Sequence, residues 1–255
     1  MKQLFIAAFT GLISLVAQAQ VTETRDTKEV NAIEVKNGIE VIFTQSDIPG
    51  LQVTADNAEN LKRIMTTHNK NGTLKIYLKE HEGPINVQAI AKVYVSQKNV
   101  TGFTASNGAN IKANGMLNLT DVAVNLSGGA TCNAIITTSG NCSIDVQSGA
   151  GFRGIVNSKD FSANAIGGGY IKIGGSADTA NVYCSGGSFN AGKFICGDAK
   201  IWAQKASAVS IYANNSIKTD VDTSSSVTYY GEPAKTSLGT NAYAVKKDNY
   251  KLSLN

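Results

Sequence analysis

Residues 127–169 read SGGATCNAIITTSGNCSIDVQSGAGFRGIVNSKDFSANAIGGG. One phrase recurs in this stretch, a Ser/Gly-rich tetrad followed by strand-forming residues: Ser127-Gly128-Gly129-Ala130, Ser148-Gly149-Ala150-Gly151 and Ile166-Gly167-Gly168-Gly169. It continues outward as Ser106-Asn107-Gly108-Ala109 on one side. On the other it continues as Ser185-Gly186-Gly187-Ser188, Lys205-Ala206-Ser207-Ala208 and Thr223-Ser224-Ser225-Ser226. Successive copies start 21, 21, 18, 19, 20 and 18 residues apart. A fixed period with strand composition predicts stacked coils, an all-β parallel β-helix with coils of about 20 residues.

A second ladder, Asp121, Asn141, Asp160, Asp178, Asp198 and Asn215, keeps the same period between the tetrads. Asx side chains bond nearby backbone and glycine accepts positive φ, so both ladders read as coil corners. Ser127, Gly128, Ser148, Gly149, Ser185 and Gly186 are the clearest tetrad corners. Each coil then has at least two corners and two short strands. Alternation such as Cys142, Ile144, Val146 turns every second residue toward a shared core. The other reading of the Asp ladder is a row of calcium or sugar ligands. Single carboxylates about 5 Å apart make a poor cage, and the Gly/Asp-rich nonapeptide of calcium β-rolls is absent, so no metal site is expected.

Lys2, the apolar run Leu4 to Val16 and Ala17-Gln18-Ala19 have the form of a secretory signal cut between Ala19 and Gln20. The expectation is an exported protein in the periplasm, at the cell surface or outside the cell, with no integral membrane segment. Residues 20–255 are expected to form one β-helix domain. Its parts are 20–98 (strands and a cap helix), 99–230 (repeats) and 231–255 (a closing segment). In the first part Asp56 and Glu59 suit a helix-start capping box, with Leu61, Ile64 and Met65 on one face and an end near His68. The helix would help cover the open end of the coil.

The formal charge is +4, with Arg25, Arg63 and Arg153 far apart in sequence. Phosphate clamps draw on clustered cations, so nucleic acid is excluded as a partner. The four cysteines, Cys132, Cys142, Cys184 and Cys196, lie in the repeats. In an oxidising compartment Cys132–Cys142 and Cys184–Cys196 are the favoured bridges, since each falls within about one coil. The alternative is four free thiols acting as small core residues.

Asn37-Gly38-Ile39-Glu40-Val41, Glu59-Asn60-Leu61, Gly72-Thr73-Leu74-Lys75-Ile76, the Ser-Gly-Ala-like repeats and Val227-Thr228-Tyr229-Tyr230-Gly231-Glu232-Pro233 follow one another in an order that resembles the DUF2807 family, the auto-transporter adhesin head GIN domain. The resemblance spans nearly all of residues 20–255. It implies a secreted right-handed β-helix with an adhesin-like role and carries over no catalytic residue. The copies at Lys205 and Thr223 lack glycine and depart from the pattern.

Catalytic chemistry is not visible. His68 and His81 have neither metal-ligand spacing nor a nucleophile beside them, and no catalytic residue and no cofactor is expected. A carbohydrate-active β-helix enzyme, of polysaccharide lyase or hydrolase type, needs facing carboxylates. Asp145, Asp160, Asp178 and Asp198 are the candidates, but the even period leaves no long insertion to build a cleft. Phe152, Tyr170 and Phe189 each follow a tetrad start by four residues, which reads as an inward aromatic stack or an exposed sugar platform; the facing of Trp202 stays open. The reading is a non-catalytic binding module, an adhesin for glycan or protein that binds on a flat face where Ser, Thr, Asn and Lys point out. A purely structural envelope protein, self-associating through ends or edges, is the third reading.

Overall fold

The corners come first, because they set everything stacked on them. In the computed structural model, which describes residues 20–79 and 91–249, two consecutive residues take positive φ at 107–108, 128–129, 148–149, 167–168 and 205–206. The tetrads therefore align one residue differently from their composition: Gln147-Ser148-Gly149-Ala150 matches Ser127-Gly128-Gly129-Ala130. Ser148 (φ 54°), Lys205 (59°) and Ala206 (59°) hold left-handed positions that glycine fills elsewhere. Corner peptides also bond from coil to coil. Gly129 donates to the Ser148 carbonyl at 3.0 Å and Gly167 to that of Ser185 at 2.9 Å. Each strained residue is thus held by the next corner.

At the last corner side chains replace this bonding. Asp222 accepts from the amide of Lys205 at 2.7 Å, Ser224 from Ala206 at 2.9 Å and Ser225 from Ser207 at 3.0 Å. The missing glycines of the final copies are explained this way: hydroxyl and carboxylate oxygens satisfy the amides that a further corner would have satisfied.

The strands in chain order are β1 (Val21–Thr24), β2 (Ala32–Lys36), β3 (Glu40–Gln45) and β4 (Gly50–Ala55), then helix α1 (Ala58–Arg63), β5 (Ile64–His68), β6 (Thr73–Leu78) and β7 (Ala91–Gln97). The repeats supply β8 (Gly102–Ser106), β9 (Asn110–Leu119), β10 (Val122–Leu126), β11 (Thr131–Thr138), β12 (Asn141–Gln147), β13 (Gly151–Ile166), β14 (Tyr170–Ser185), β15 (Ser188–Gln204), β16 (Ala208–Val221) and β17 (Ser226–Tyr230). Two short strands, β18 (Lys235–Ser237) and β19 (Val245–Lys247), close the far end by pairing with β16 and β17. The result is a β-solenoid of about 8 turns.

The coils have three sides, where the sequence sets a minimum of two strands. The first side stacks β2, β8, β10, β12 and the second halves of β13 to β16. The second stacks β3, β9, β11, the starts of β13 to β16, and β17. The third side, entered at Met116, Ile135, Ile155, Gly174 and Lys193, is short.

Ile111, Cys132, Phe152, Ile171, Phe189, Val209 and Val227 form one buried column on the second side. Phe161 reaches across from the first side to within 6.0 Å of the Phe189 ring and 5.0 Å of the Phe194 ring. Burying each such ring stabilises the fold by about 1.5–3 kcal/mol.

The chain does not begin at the end of its own stack. β6 and β7 pair in parallel with β2 and β3 on one edge, and β8 and β9 pair with them on the other. The first coil laid down is thus sandwiched between later ones. The outer edge ends in antiparallel strands, with β4 on β7, β1 on β4 and β5 on β6. These antiparallel strands and α1, which packs against β1, β4 and β5, cover the outermost coil, that of β6 and β7. The helix is shorter than expected and its cap is Asn57, whose side chain accepts from the Asn60 amide at 2.8 Å. Asp56 instead accepts from the Asn60 side chain. From Ile64 to His68 the β-branched residues Ile64, Thr66 and Thr67 run as strand and pair with β6.

Residues 1–19, with Ala19 of the expected cleavage site, lie outside the described residues, as do His81 and residues 250–255 of the closing segment.

Candidate binding cleft on the third side

The Asp ladder is a set of rungs. Register partners run Asn141, Asp160, Thr179, Asp198, Ser216, with Asp121 one coil earlier. Each carboxylate is followed on the next coil by a donor. Asp121 accepts from the backbone amide of Asn141 at 2.7 Å, Asp160 from the Thr179 hydroxyl at 2.7 Å, and Asp198 from the Ser216 hydroxyl at 2.5 Å. Asp178 and Asn215 each sit one residue before a rung, so neither belongs to the column in which the sequence placed them. Like charges are thereby kept two coils, about 10 Å, apart. Asp145 is likewise occupied, accepting from the Asn164 side chain. No cluster of three His, Cys, Asp or Glu that could hold a metal occurs among the described residues.

The bridges Cys132–Cys142 and Cys184–Cys196 are not formed: all four thiols are free and buried. Within each pair the two residues lie on different sides of the coil. Cys132 stacks between Ile111 and Phe152, Cys142 between Val122 and Phe161. Burial pushes each thiol up to about 12.

Of the three aromatics spaced from the tetrads, Phe152 and Phe189 face inward, but Tyr170 does not. It is the register partner of Gly151, outside the buried column, and its ring carries the Arg153 guanidinium at 5.1 Å. Trp202 points outward and is 41% exposed.

A cleft opens where the second side turns into the third. Its volume is about 660 Å³, within the range of small-ligand sites. Gly154, Gly174, Gly175 and Gly192 leave its floor bare, and Arg153, Ile155, Lys172, Lys193 and Tyr230 rise around it. Two glycines are imposed by close backbone approach. A β-carbon on Gly154 would lie 1.8 Å from the Ala134 carbonyl oxygen, and one on Gly175, at φ 114°, 2.1 Å from that of Val156.

The cleft itself comes from unequal coils. Between the partners Ala191–Ile211 and Ile195–Tyr212, β15 carries Gly192, Lys193 and Phe194 where β16 carries nothing. The shorter coil leaves a step. Tyr230, one coil further on, reaches back over it, and a β-carbon on Gly192 would meet its ring at 3.0 Å. No long insertion was needed to build a cleft, which the even period had argued against: three extra residues in one coil suffice.

Charge separates this region from the first coils. There the outward lysines are matched by acids: Glu34 with Lys36 at 2.8 Å and Lys75 at 3.2 Å, Glu40 with Lys112 and with Lys92 at 3.5 Å. The hydrogen bond from Lys36 holds the Glu34 carboxyl below its ordinary range, and that from Lys112 does the same for Glu40. Around the cleft, Arg153, Lys172 and Lys193 form no ion pair among the described residues, and no acidic side chain lines it. Arg153 and Lys172 are direct register partners. The arrangement can attract and hold an anionic group beside apolar surface.

Comparison with known proteins agrees with the architecture. A family model described as putative auto-transporter adhesin, head GIN domain (DUF2807), matches residues 29–233. A crystal structure of a putative adhesin from Parabacteroides merdae ATCC 43184 superposes with TM-score 0.79 at 18% identity, over 90% of this chain and 96% of that one. One of a putative lipid binding protein from Parabacteroides distasonis ATCC 8503 gives TM-score 0.72 at 18% identity, over 90% and 97%. A putative adhesin from Bacteroides fragilis NCTC 9343 gives 0.63 at 19%, over 91% and 95%. At these identities the likeness is one of fold. No curated protein matches the chain.

Proposed function

The chain belongs to the DUF2807 family, the putative auto-transporter adhesin, head GIN domain, and from that premise we propose that it is an exported, non-catalytic, adhesin-like binding module. The observation that carries this reading is the cleft. Its size suits a ligand, its cations are unmatched by acid, and its walls hold no nucleophile–base pair or facing carboxylates. Residues 1–19 direct export, and residues 20–255 act as one domain in the periplasm, at the surface or outside the cell. No helix among the described residues is long and apolar enough to cross a membrane.

The ligand presents an anionic group, and glycans and proteins that carry one are the classes to screen first. The binding locus is the corner of the coil around Lys172 and Lys193. This narrows the expectation of a whole flat face. Neighbours of the same fold are described both as adhesins and as a lipid-binding protein, and both descriptions suit a site that joins charge to apolar surface.

The test is a glycan-array and protein-ligand screen of residues 20–255, with the same sugars assayed for cleavage. Saturable binding without products, lost in Lys172→Glu, is expected. Cleavage products would replace this reading with an enzyme, and binding unchanged in Lys172→Glu would move the locus elsewhere.

A further inference from the structure

The outward positions at the start of the third side are Met116, Ile135, Ile155, Gly174 and Lys193, direct register partners on successive coils. Met116 is 51% exposed, Ile135 41% and Ile155 44%. Large exposed apolar side chains are uncommon among the described residues, and these three fall in one unbroken column. Single exposed apolar residues need no explanation, but an aligned row marks a contact surface. The row runs directly into the cleft, because Ile155 belongs to both. At the next rung Gly174 offers no side chain to close the passage, and the rung after that is Lys193.

Apolar contact and positive charge are thus placed end to end along the solenoid axis. Five rungs at strand spacing span about 19 Å, the reach of an extended acyl chain of laurate to palmitate length. We infer that the strip and the cleft form one site for a single-chain anionic amphiphile. The chain lies along Met116, Ile135 and Ile155, and the carboxylate or phosphate head is held among Arg153, Lys172 and Lys193. An acidic oligosaccharide would use the cations but leave the strip uncovered, and a neutral lipid would leave the cations unmatched. The inference rests on the cleft being the binding locus and goes beyond it in naming the ligand class.

Each of the two halves makes a separate demand. Each methylene taken out of water favours binding, so the chain must matter. The head must matter as well, because phosphate or carboxylate is recognised by clustered Arg and Lys. Gly174 has ordinary φ, and a β-carbon there would approach nothing nearer than 3.4 Å. Gly174→Val therefore fills the junction without forcing the backbone. Ile135 and Lys172 are exposed, so Ile135→Glu and Lys172→Glu leave the core intact.

The experiment is calorimetric titration of residues 20–255 with dodecyl phosphate below its micellar concentration, beside inorganic phosphate, dodecanol and a hexuronate oligosaccharide. One-to-one binding of dodecyl phosphate is expected. It should weaken roughly tenfold or more in each of the three variants, and phosphate or dodecanol alone should bind at least as poorly as the variants do.

Equal affinity in Ile135→Glu and the parent would overturn the amphiphile site. Binding of the hexuronate but not of dodecyl phosphate would overturn it too, while leaving the cleft as the locus. Sedimentation with phosphatidylglycerol vesicles but no binding of the monomer would replace it with adsorption to a surface. Silence toward every probe would overturn both the amphiphile and the anionic cleft.

Discussion

The ring of Tyr170 lies across the backbone of Gly151 on the neighbouring coil, so close that a β-carbon there would sit 2.0 Å from its Cζ. Arg153 rests on the same ring at 5.1 Å. A glycine on one strand thus positions a tyrosine on the next, and the tyrosine positions a cation of the cleft. Gly151→Ala should push the ring aside at small cost, since a side chain can swing. Gly154→Ala meets a backbone carbonyl that cannot, and should destabilise by about 1–3 kcal/mol. Urea denaturation of the two variants checks this; equal losses would contradict it.

Phe161 ties the first side of the coil to Phe189 and Phe194 on the other two. Truncation to alanine leaves a cavity where three sides meet. Phe161→Ala should cost about 3–5 kcal/mol, read as a fall in the urea midpoint.

The four thiols are buried, with pKa values near 12. At pH 8 almost none is thiolate, the reactive form. Iodoacetamide should therefore label no cysteine in the native protein and all four in denaturant without reductant. Labelling that needs reductant first would show bridges instead.

Asp222 has its carboxyl held down at about 2, chiefly by the amide of Lys205 and then by Ser225. Its folded value lies below the unfolded one, about 3.9. The stability it contributes is therefore full above about pH 4 and is lost as pH falls through about 2. Asp222→Ala should lower the thermal midpoint at pH 7, and the gap from the parent should close toward pH 2. A gap that does not depend on pH would mean the carboxylate charge is irrelevant.

The rungs at Asp121, Asp160 and Asp198 are engaged by Asn141, Thr179 and Ser216. Neither calcium nor EDTA should shift the thermal midpoint. Thr179→Val, which removes one rung donor, should cost about 0.5–1.5 kcal/mol. A stabilising shift with calcium would turn the ladder back into a metal site.

Period and composition carried the solenoid. Glycine and Asx every 17 to 21 residues are a local demand of the backbone, so coils, corners and alternating core are legible residue by residue. The corner register was legible only in part, because Ser148, Lys205 and Ala206 adopt left-handed φ with side chains that do not announce it. Their strain is relieved by bonds to the next coil, which composition does not show. The same holds for α1, where pairing with β6 drew Ile64 to His68 away from the helix.

The cleft was not legible, although its parts were. Arg153, Lys172 and Lys193 are spaced 19 and 21 residues apart, close to one coil each. Nothing short of the register says that they share one corner.

By itself, the sequence determined that this chain coils, how long each coil is, and which residues line the core. All three follow from local backbone preference and alternation. Only the tertiary structure decided that β2 and β3 lie inside the stack, that each coil has a third side, and that β15 overhangs β16 by three residues. The reason is physical: a coil's neighbours are set by interstrand hydrogen bonds between residues about twenty apart, and by up to seventy near the first coil. A one-residue difference in that pairing moves a side chain from core to surface.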